Sequence, residues 1–259
     1  MSEIIDLHND ALRLSVGDDF VATIELSQPP NNFFSMKLIG GIADALETLD
    51  NDDRCRAVVL CAEGKHFCAG ADFSAGETSY TTEDLYAAAV RIFRNTKPIV
   101  AAVQGAAIGG GLGVALSADF RIAAPEARFS ANFARLGFHH GFGLSVTLPR
   151  LVGPQAAADL LYTGRRVTGD AAVAIGLADH LAPLVKLRET AQSLAREIAI
   201  SAPLAVQSIR KTLRGTIADD VAAATDHEGH EQAWLRETSD FREGTTAMAE
   251  RREPRFTGK

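Results

Sequence analysis

The sequence predicts an α/β fold of repeated strand–loop–helix units, closed by a helical C-terminal third. Three observations predict it. Residues 57–62 (AVVLCA) and 99–103 (IVAAV) are uninterrupted apolar runs, the pattern of strands buried on both faces. A loop rich in glycine and alanine follows each run, and helical spacing follows each loop. From about residue 142 onward the texture becomes helical.

Taken in order, LRLSV at 12–16, a turn at Gly17–Asp19 and then Phe20, Ala22, Ile24 and Leu26 on one face read as a hairpin of half-buried strands. QPPNN at 28–32 breaks that pattern. Ser35 is placed to N-cap a helix whose apolar stripe is Leu38, Ile39, Ile42, Leu46 and Leu49. A second helical stretch, 82–95, ends before Lys97-Pro98. Residues 112–119 (LGVALSAD) are expected to form a short helix, and 119–124 and the surroundings of Phe129 further strands. Beyond them, SVTLPRLVG, PQAAADLLYTG and LVKLRETAQSLAREIAI read as helical, as do 203–214 and roughly 219–238, before a charged tail. No Ser/Gly linker or low-complexity run divides the chain, so one structural unit is expected, with a core at 1–200 and a helical segment at 201–259.

Composition narrows the function classes. At 259 residues the chain is long enough to bury about three-quarters of its unfolded surface without disulfide or metal staples. It is 46% hydrophobic and 23% charged, with mean hydropathy +0.02, as in ordinary globular proteins. A net charge of −7 disfavours a nucleic-acid partner. No 18-residue window suits a bilayer, and the acidic, polar opening MSEIIDLHND does not resemble a signal or transit peptide. Cys55, Cys61 and Cys68 form no CxxC pair, which points to buried, reduced thiols in a cytoplasmic protein.

Chemistry is expected at the two loops, 64–72 (GKHFCAGAD) and 105–111 (GAAIGGG). Small side chains leave backbone N–H groups accessible, and the second loop runs directly into a helix, whose N-terminus carries partial positive charge. Such loops suit an anion or a developing oxyanion; close packing of strand against helix accounts for glycine runs equally well. Rival motifs fail on detail. Val114 stands where G-x-G-x-x-G needs its third glycine, and there is no GxxxxGK[ST]. Gly143-Leu144-Ser145-Val146-Thr147 lacks the closing glycine of a nucleophile elbow. His227-Glu228-Gly229-His230 spaces its histidines i,i+3 rather than i,i+4 and reads as a solvated helix face.

Both loops together, in this order and about 40 residues apart, resemble the crotonase (enoyl-CoA hydratase/isomerase) superfamily. HFCAGAD at 66–72 is similar to its first signature and QGAAIGGGLGVALSAD at 104–119 to its second. Gln28-Pro29-Pro30, the stretch 239–244 and the stretch 252–256 also fit, so the resemblance covers nearly the whole chain. It implies a crotonase-like (ClpP/crotonase) spiral of ββα units whose C-terminal helical segment completes the active site and mediates a homotrimer or dimer of trimers. It implies a coenzyme A thioester as substrate and no permanently bound cofactor or metal; the charge and hydropathy above lead to the expectation of no nucleic-acid or membrane partner. Carried over by position, the N–H groups of Ala71 and Gly110 form an oxyanion hole. Phe33, Ala69, Asp72, Phe73 and Gly109 line the path of the CoA arm.

The sequence departs from the family where protons are moved. The two positions at which hydratases carry glutamate hold Gly113 and Phe133, and a third, aspartate in some isomerases and dehalogenases, holds Gly141. None of these can transfer a proton, so ordinary two-glutamate hydration is not expected. Non-standard hydratase, isomerase or C–C/thioester hydrolase chemistry is expected instead, or decarboxylation; a catalytically silent CoA-thioester binding protein is the alternative. As substitutes, His140 and then His139 are the expected bases, because 138–142 (FHHGF) falls where the family's active-site wall passes the thioester. Glu77 and Tyr80 are weaker candidates, and His66 is expected to be structural. Phe133 is expected to narrow the pocket toward a bulky alicyclic or aromatic acyl group.

Overall fold

The computed structural model describes residues 3–72 and 80–259. It opens with β1 (Glu3–Ile5), β2 (Leu12–Val16) and β3 (Val21–Leu26), an antiparallel meander in which Leu14 faces Ile24 and Leu12 faces Leu26. β1 lacked a signal in the acidic N-terminus. The expected apolar face beginning at Phe20 begins instead at Ala22, and Val21 points to the opposite side of the sheet. Phe20 has φ +62°, is exposed, and lies under the Arg56 guanidinium, 3.7 Å from its ring centre.

Helix α1 (Met36–Asp50) starts where Ser35 accepts the Leu38 N–H, and its predicted stripe is buried. β4 (Ala57–Ala62) follows and pairs parallel to β3, Thr23 opposite Val59. After α2 (Thr82–Arg94), which opens on a Thr81–Asp84 capping box, β5 (Ile99–Val103) pairs parallel to β4. β6 (Ala106–Ile108), α3 (Gly110–Ser117), β7 (Phe120–Ala123) and β8 (Arg128–Ser130) complete the second repeat. Then come α4 (Leu144–Thr163), broken at Gly153, β9 (Val167–Thr168), α5 (Gly169–Ala174) and β10 (His180–Leu181).

The described residues form two sheets, β1-β2-β3-β4-β5-β7-β10 and the short β6-β8-β9. Both faces of the larger sheet are covered, which is why β4 and β5 are apolar at every position. One face packs on α1, α2 and the body of the molecule; the other packs on Ala191, Ala195 and Ala199 of α6 (Leu187–Ala199). All three cysteines are free and buried, as expected, and burial pushes their thiols up, Cys55 and Cys61 to about 11 and Cys68 to about 12.

The C-terminal segment is α7 (Pro203–Arg214), α8 (Ile217–Leu235) and α9 (Ser239–Glu250). α7 buries one side chain, Arg210, whose guanidinium pairs with Asp119 at 2.9 Å and with the Asn95 side chain at 2.8 Å. Its Leu204, Ile209 and Leu213 are exposed. Among the described residues no helix is long and apolar enough to cross a membrane.

Candidate active site

The two glycine loops meet. Cys68 of the first forms a parallel bridge with Ala107 of β6, through Cys68 N–H to Ala106 O (2.9 Å) and Ile108 N–H to Cys68 O (3.0 Å). This register carries Ala71 and Gly110, each three residues farther on, to the same end of the pairing. Each also follows a glycine in the left-handed region, Gly70 at φ +91° and Gly109 at φ +56°. Both line one large cleft of about 1480 Å³. That exceeds the several-hundred-Å³ range common for small ligands and suits an extended one.

The glycines of the second run serve different ends. A Cβ on Gly111 would lie 2.2 Å from the Cys68 carbonyl; there, the missing side chain serves close packing of α3 on the first loop. Gly109 N–H is taken by Ser130 O (2.8 Å), and those of Leu112 and Gly113 return to Gly109 O. Gly109 offers α3 no side-chain cap, and the Gly110 N–H meets no acceptor among the described residues. The Phe34 ring covers Gly110, where a Cβ would come within 2.6 Å of it.

Of the residues singled out in the sequence, Phe33, Ala69, Ala71, Asp72, Gly109, Gly110, Phe133 and Gly141 line this cleft. Phe73 and Glu77 lie outside the described residues. Tyr80 and His66 also line it. His66 Nδ1 accepts the Ala106 N–H at 3.2 Å, a structural bond, and burial followed by the Lys65 and Arg166 charges lowers its pKa.

The histidine expectation is corrected. His139 and His140 are not among the cleft's lining residues, although Phe138, Gly141 and Phe142 are. Phe142 adopts φ +63°, turning its ring in against Phe34 and Phe93, while the histidines face α8. His140 Nε2 meets Ser145 Oγ at 2.8 Å, and Ser145 Oγ donates to Glu228 at 2.7 Å. The hydroxyl has one proton, so His140 carries its own on Nε2 and donates it. Glu228 also accepts the N–H groups of Gly143 (2.8 Å) and Ser145 (3.1 Å), capping α4 from another helix. The stretch 227–230 is therefore not a wholly solvated face: Glu228 is fully buried, and burial raises its pKa. Among the described residues no cluster could hold a metal ion.

Sequence reasoning missed what fills the emptied positions. The Phe142 ring occupies the space beside Gly113, where a Cβ would lie 2.4 Å from it. Tyr86 fills the space beside Gly141: its hydroxyl lies 1.8 Å from where a Cβ would be. Phe133 is buried and packs at a tilt against Phe138 (5.4 Å between ring centres), which in turn meets Phe241 edge-on (5.2 Å). This part of the cleft is aromatic, whereas Lys65, Arg128 and Arg166 are exposed along its rim.

A spiral of strand–helix units, with a glycine loop and a helix N-terminus paired across one cleft, is the architecture of crotonase-fold enzymes. Residues 17–259 match the enoyl-CoA hydratase/isomerase family profile, and the chain belongs to that family of enzymes. It is 33% identical to the crotonyl-CoA hydratase of Syntrophomonas wolfei over 84% of this chain and 86% of that one. It is 30% identical to the 1,2-epoxyphenylacetyl-CoA isomerase of Escherichia coli, over 92% and 95% respectively. The crystal structure of an enoyl-CoA hydratase/isomerase from Pseudoalteromonas atlantica superposes with TM-score 0.86 at 31% identity, covering 95% of this chain and 100% of that one.

Proposed function

We propose that this enzyme binds an acyl-CoA thioester in the cleft, with the thioester oxygen between the N–H groups of Ala71 and Gly110, and acts through a stabilised enolate or oxyanion. The observation that carries this reading is the Cys68–Ala107 register, which carries Ala71 and Gly110 to the same end of the pairing, where both line the cleft. Two preorganised donors aimed at a developing oxyanion lower its energy without reorganisation. The exposed cations at the rim suit the phosphates of a CoA nucleotide, and Asp72, Ala69 and Phe33 lie along its route. CoA then enters only as part of the substrate.

The reaction proposed is not two-glutamate hydration. Phe142 and Tyr86 occupy the space beside Gly113 and Gly141, and Phe133 holds the other glutamate's place. The aromatic wall favours a bulky, flat acyl group, a reading in keeping with the 1,2-epoxyphenylacetyl-CoA isomerase among the relatives. The exposed leucines and isoleucine of α7 support assembly through the C-terminal helices into a trimer or dimer of trimers.

Crotonyl-CoA and a panel of aryl- and alicyclic-acyl-CoA thioesters, followed by mass spectrometry, test this reading. Turnover of a bulky member with negligible hydration of crotonyl-CoA is the expected result. Efficient hydration of crotonyl-CoA would overturn the altered chemistry, and binding without turnover of any member would favour a silent thioester-binding protein.

A further inference from the structure

We propose that the Tyr86 hydroxyl is the catalytic acid of this cleft, delivering its proton to the α-carbon of a thioester enolate held at Ala71 and Gly110. This rests on the oxyanion reading above and adds the proton donor that the reading lacks. Three observations carry it.

First, Tyr86 is the one buried ionisable side chain among the described residues that line the cleft; the other ionisable groups there are exposed or half-buried. Second, its oxygen occupies the place that any side chain at position 141 would need. A glycine at 141 is therefore the condition for a hydroxyl there, and the protic group comes from α2 instead of from the 138–142 loop. Third, the oxygen lies beside the Gln232 amide in the space next to Gly141. The Gln232 amide, anchored by its bond to His139 O at 2.9 Å, and the Phe142 N–H both favour negative charge on it. The same Phe142 packs edge-on against Phe34, whose ring covers Gly110, so hydroxyl and oxyanion donor belong to one packed unit.

In the step, the enolate π pair forms the new C–H bond with the phenolic proton. The O–H bond breaks, leaving its electron pair on the phenol oxygen, and the enolate C–O⁻ recloses to the thioester carbonyl. The phenolate, facing the Gln232 and Phe142 donors, regains a proton from water. Burial, and then the Glu228 charge, push the phenol up, so the group rests protonated and acts first as an acid. By microscopic reversibility the phenolate removes an α-proton in the opposite direction.

That reversal supplies the assay. Phenylacetyl-CoA has α-protons acidified by both ring and carbonyl, and its deuterium uptake in D2O is read by mass spectrometry. The wild type is expected to exchange well above the buffer rate, and Tyr86→Phe to lose at least about 100-fold of that excess. Its affinity for phenylacetyl-CoA, measured by calorimetry, should stay within about two-fold. Gly141→Ala, which keeps the tyrosine but takes its oxygen's place, should lose exchange as well, with its fold checked by circular dichroism. Wild-type exchange in folded Tyr86→Phe, or thioester binding by the wild type without exchange, overturns the assignment. Failure of the wild type to bind any CoA thioester instead overturns the function proposed above.

Discussion

The loop from Phe138 to Gly143 has two sides, and they differ in kind. Toward the cleft it presents Phe138, Gly141 and Phe142, so the only buried ionisable neighbour among the described lining residues is the Tyr86 phenol. Away from the cleft it presents His139 and, stacked on it, His140, which is linked through Ser145 to the buried Glu228. A buried carboxylate requires several donors to be tolerated, and this one has three, all from the loop and the start of α4. Glu228 and His140 thus hold this wall from behind, while the wall itself stays free of charge.

The largest effect should come from breaking the charged side. Glu228→Leu leaves the Gly143 N–H and both Ser145 donors without their carboxylate acceptor and is expected to lose about 3–5 kcal/mol in urea denaturation. Glu228→Gln, which still accepts, should lose clearly less. An equal loss in the two variants would show that the carboxylate's hydrogen bonds do not hold the loop.

On the cleft side, Ala71→Pro removes one N–H. It should reduce phenylacetyl-CoA α-exchange by about 100- to 1000-fold, while affinity for free CoA stays the same. Unchanged exchange would place the oxyanion elsewhere.

The charged side should also impose a pH dependence. Burial, then His139 and His227, lower His140 to about 4. The unfolded chain takes up this proton near pH 6.5 and the folded chain not until about 4, so stability is lost as pH falls through that window, by at most about 3 kcal/mol. Glu228, raised by burial, works the other way, because its folded form takes up a proton before the unfolded chain does. His140→Gln should therefore flatten the acid limb of stability against pH, with thioester binding intact. Loss of thioester binding in this variant would return the histidine to the cleft.

Gly113→Glu tests whether the cleft side can regain what the sequence lacks. The Phe142 ring stands in the way, so the variant should lose about 1–3 kcal/mol through overpacking and gain no crotonyl-CoA hydration. The smallest effect on the folded monomer belongs to Leu213→Lys on the exposed face of α7. Within one chain it should shift stability by under about 0.5 kcal/mol, yet lower the mass seen in analytical ultracentrifugation if that face joins copies.

Much of the fold was legible because its signals are local. Ser35 caps α1 through its own side chain, and the apolar runs at 57–62 and 99–103 can only be strands covered on both sides. The two glycine loops were legible for the same reason. What fills their surroundings was not. Tyr86 and Gly141 sit on different elements and meet only after α2 packs beside the loop, and nothing in either neighbourhood marks the pairing. His140 misled because it adjoins Gly141 in sequence, yet its ring turns to Ser145 while Gly141 lines the cleft.

The sequence by itself determined the α/β class, the strand–loop–helix repeat, the family and the loss of carboxylates at positions 113, 133 and 141. Each of these is a property of residue type and short-range spacing. Only the tertiary structure decided which side of the 138–143 loop faces the cleft and that a phenol from α2 stands in the space beside Gly141. Those outcomes depend on backbone reversals and on close packing between distant segments, where a single missing Cβ determines what another helix can place there.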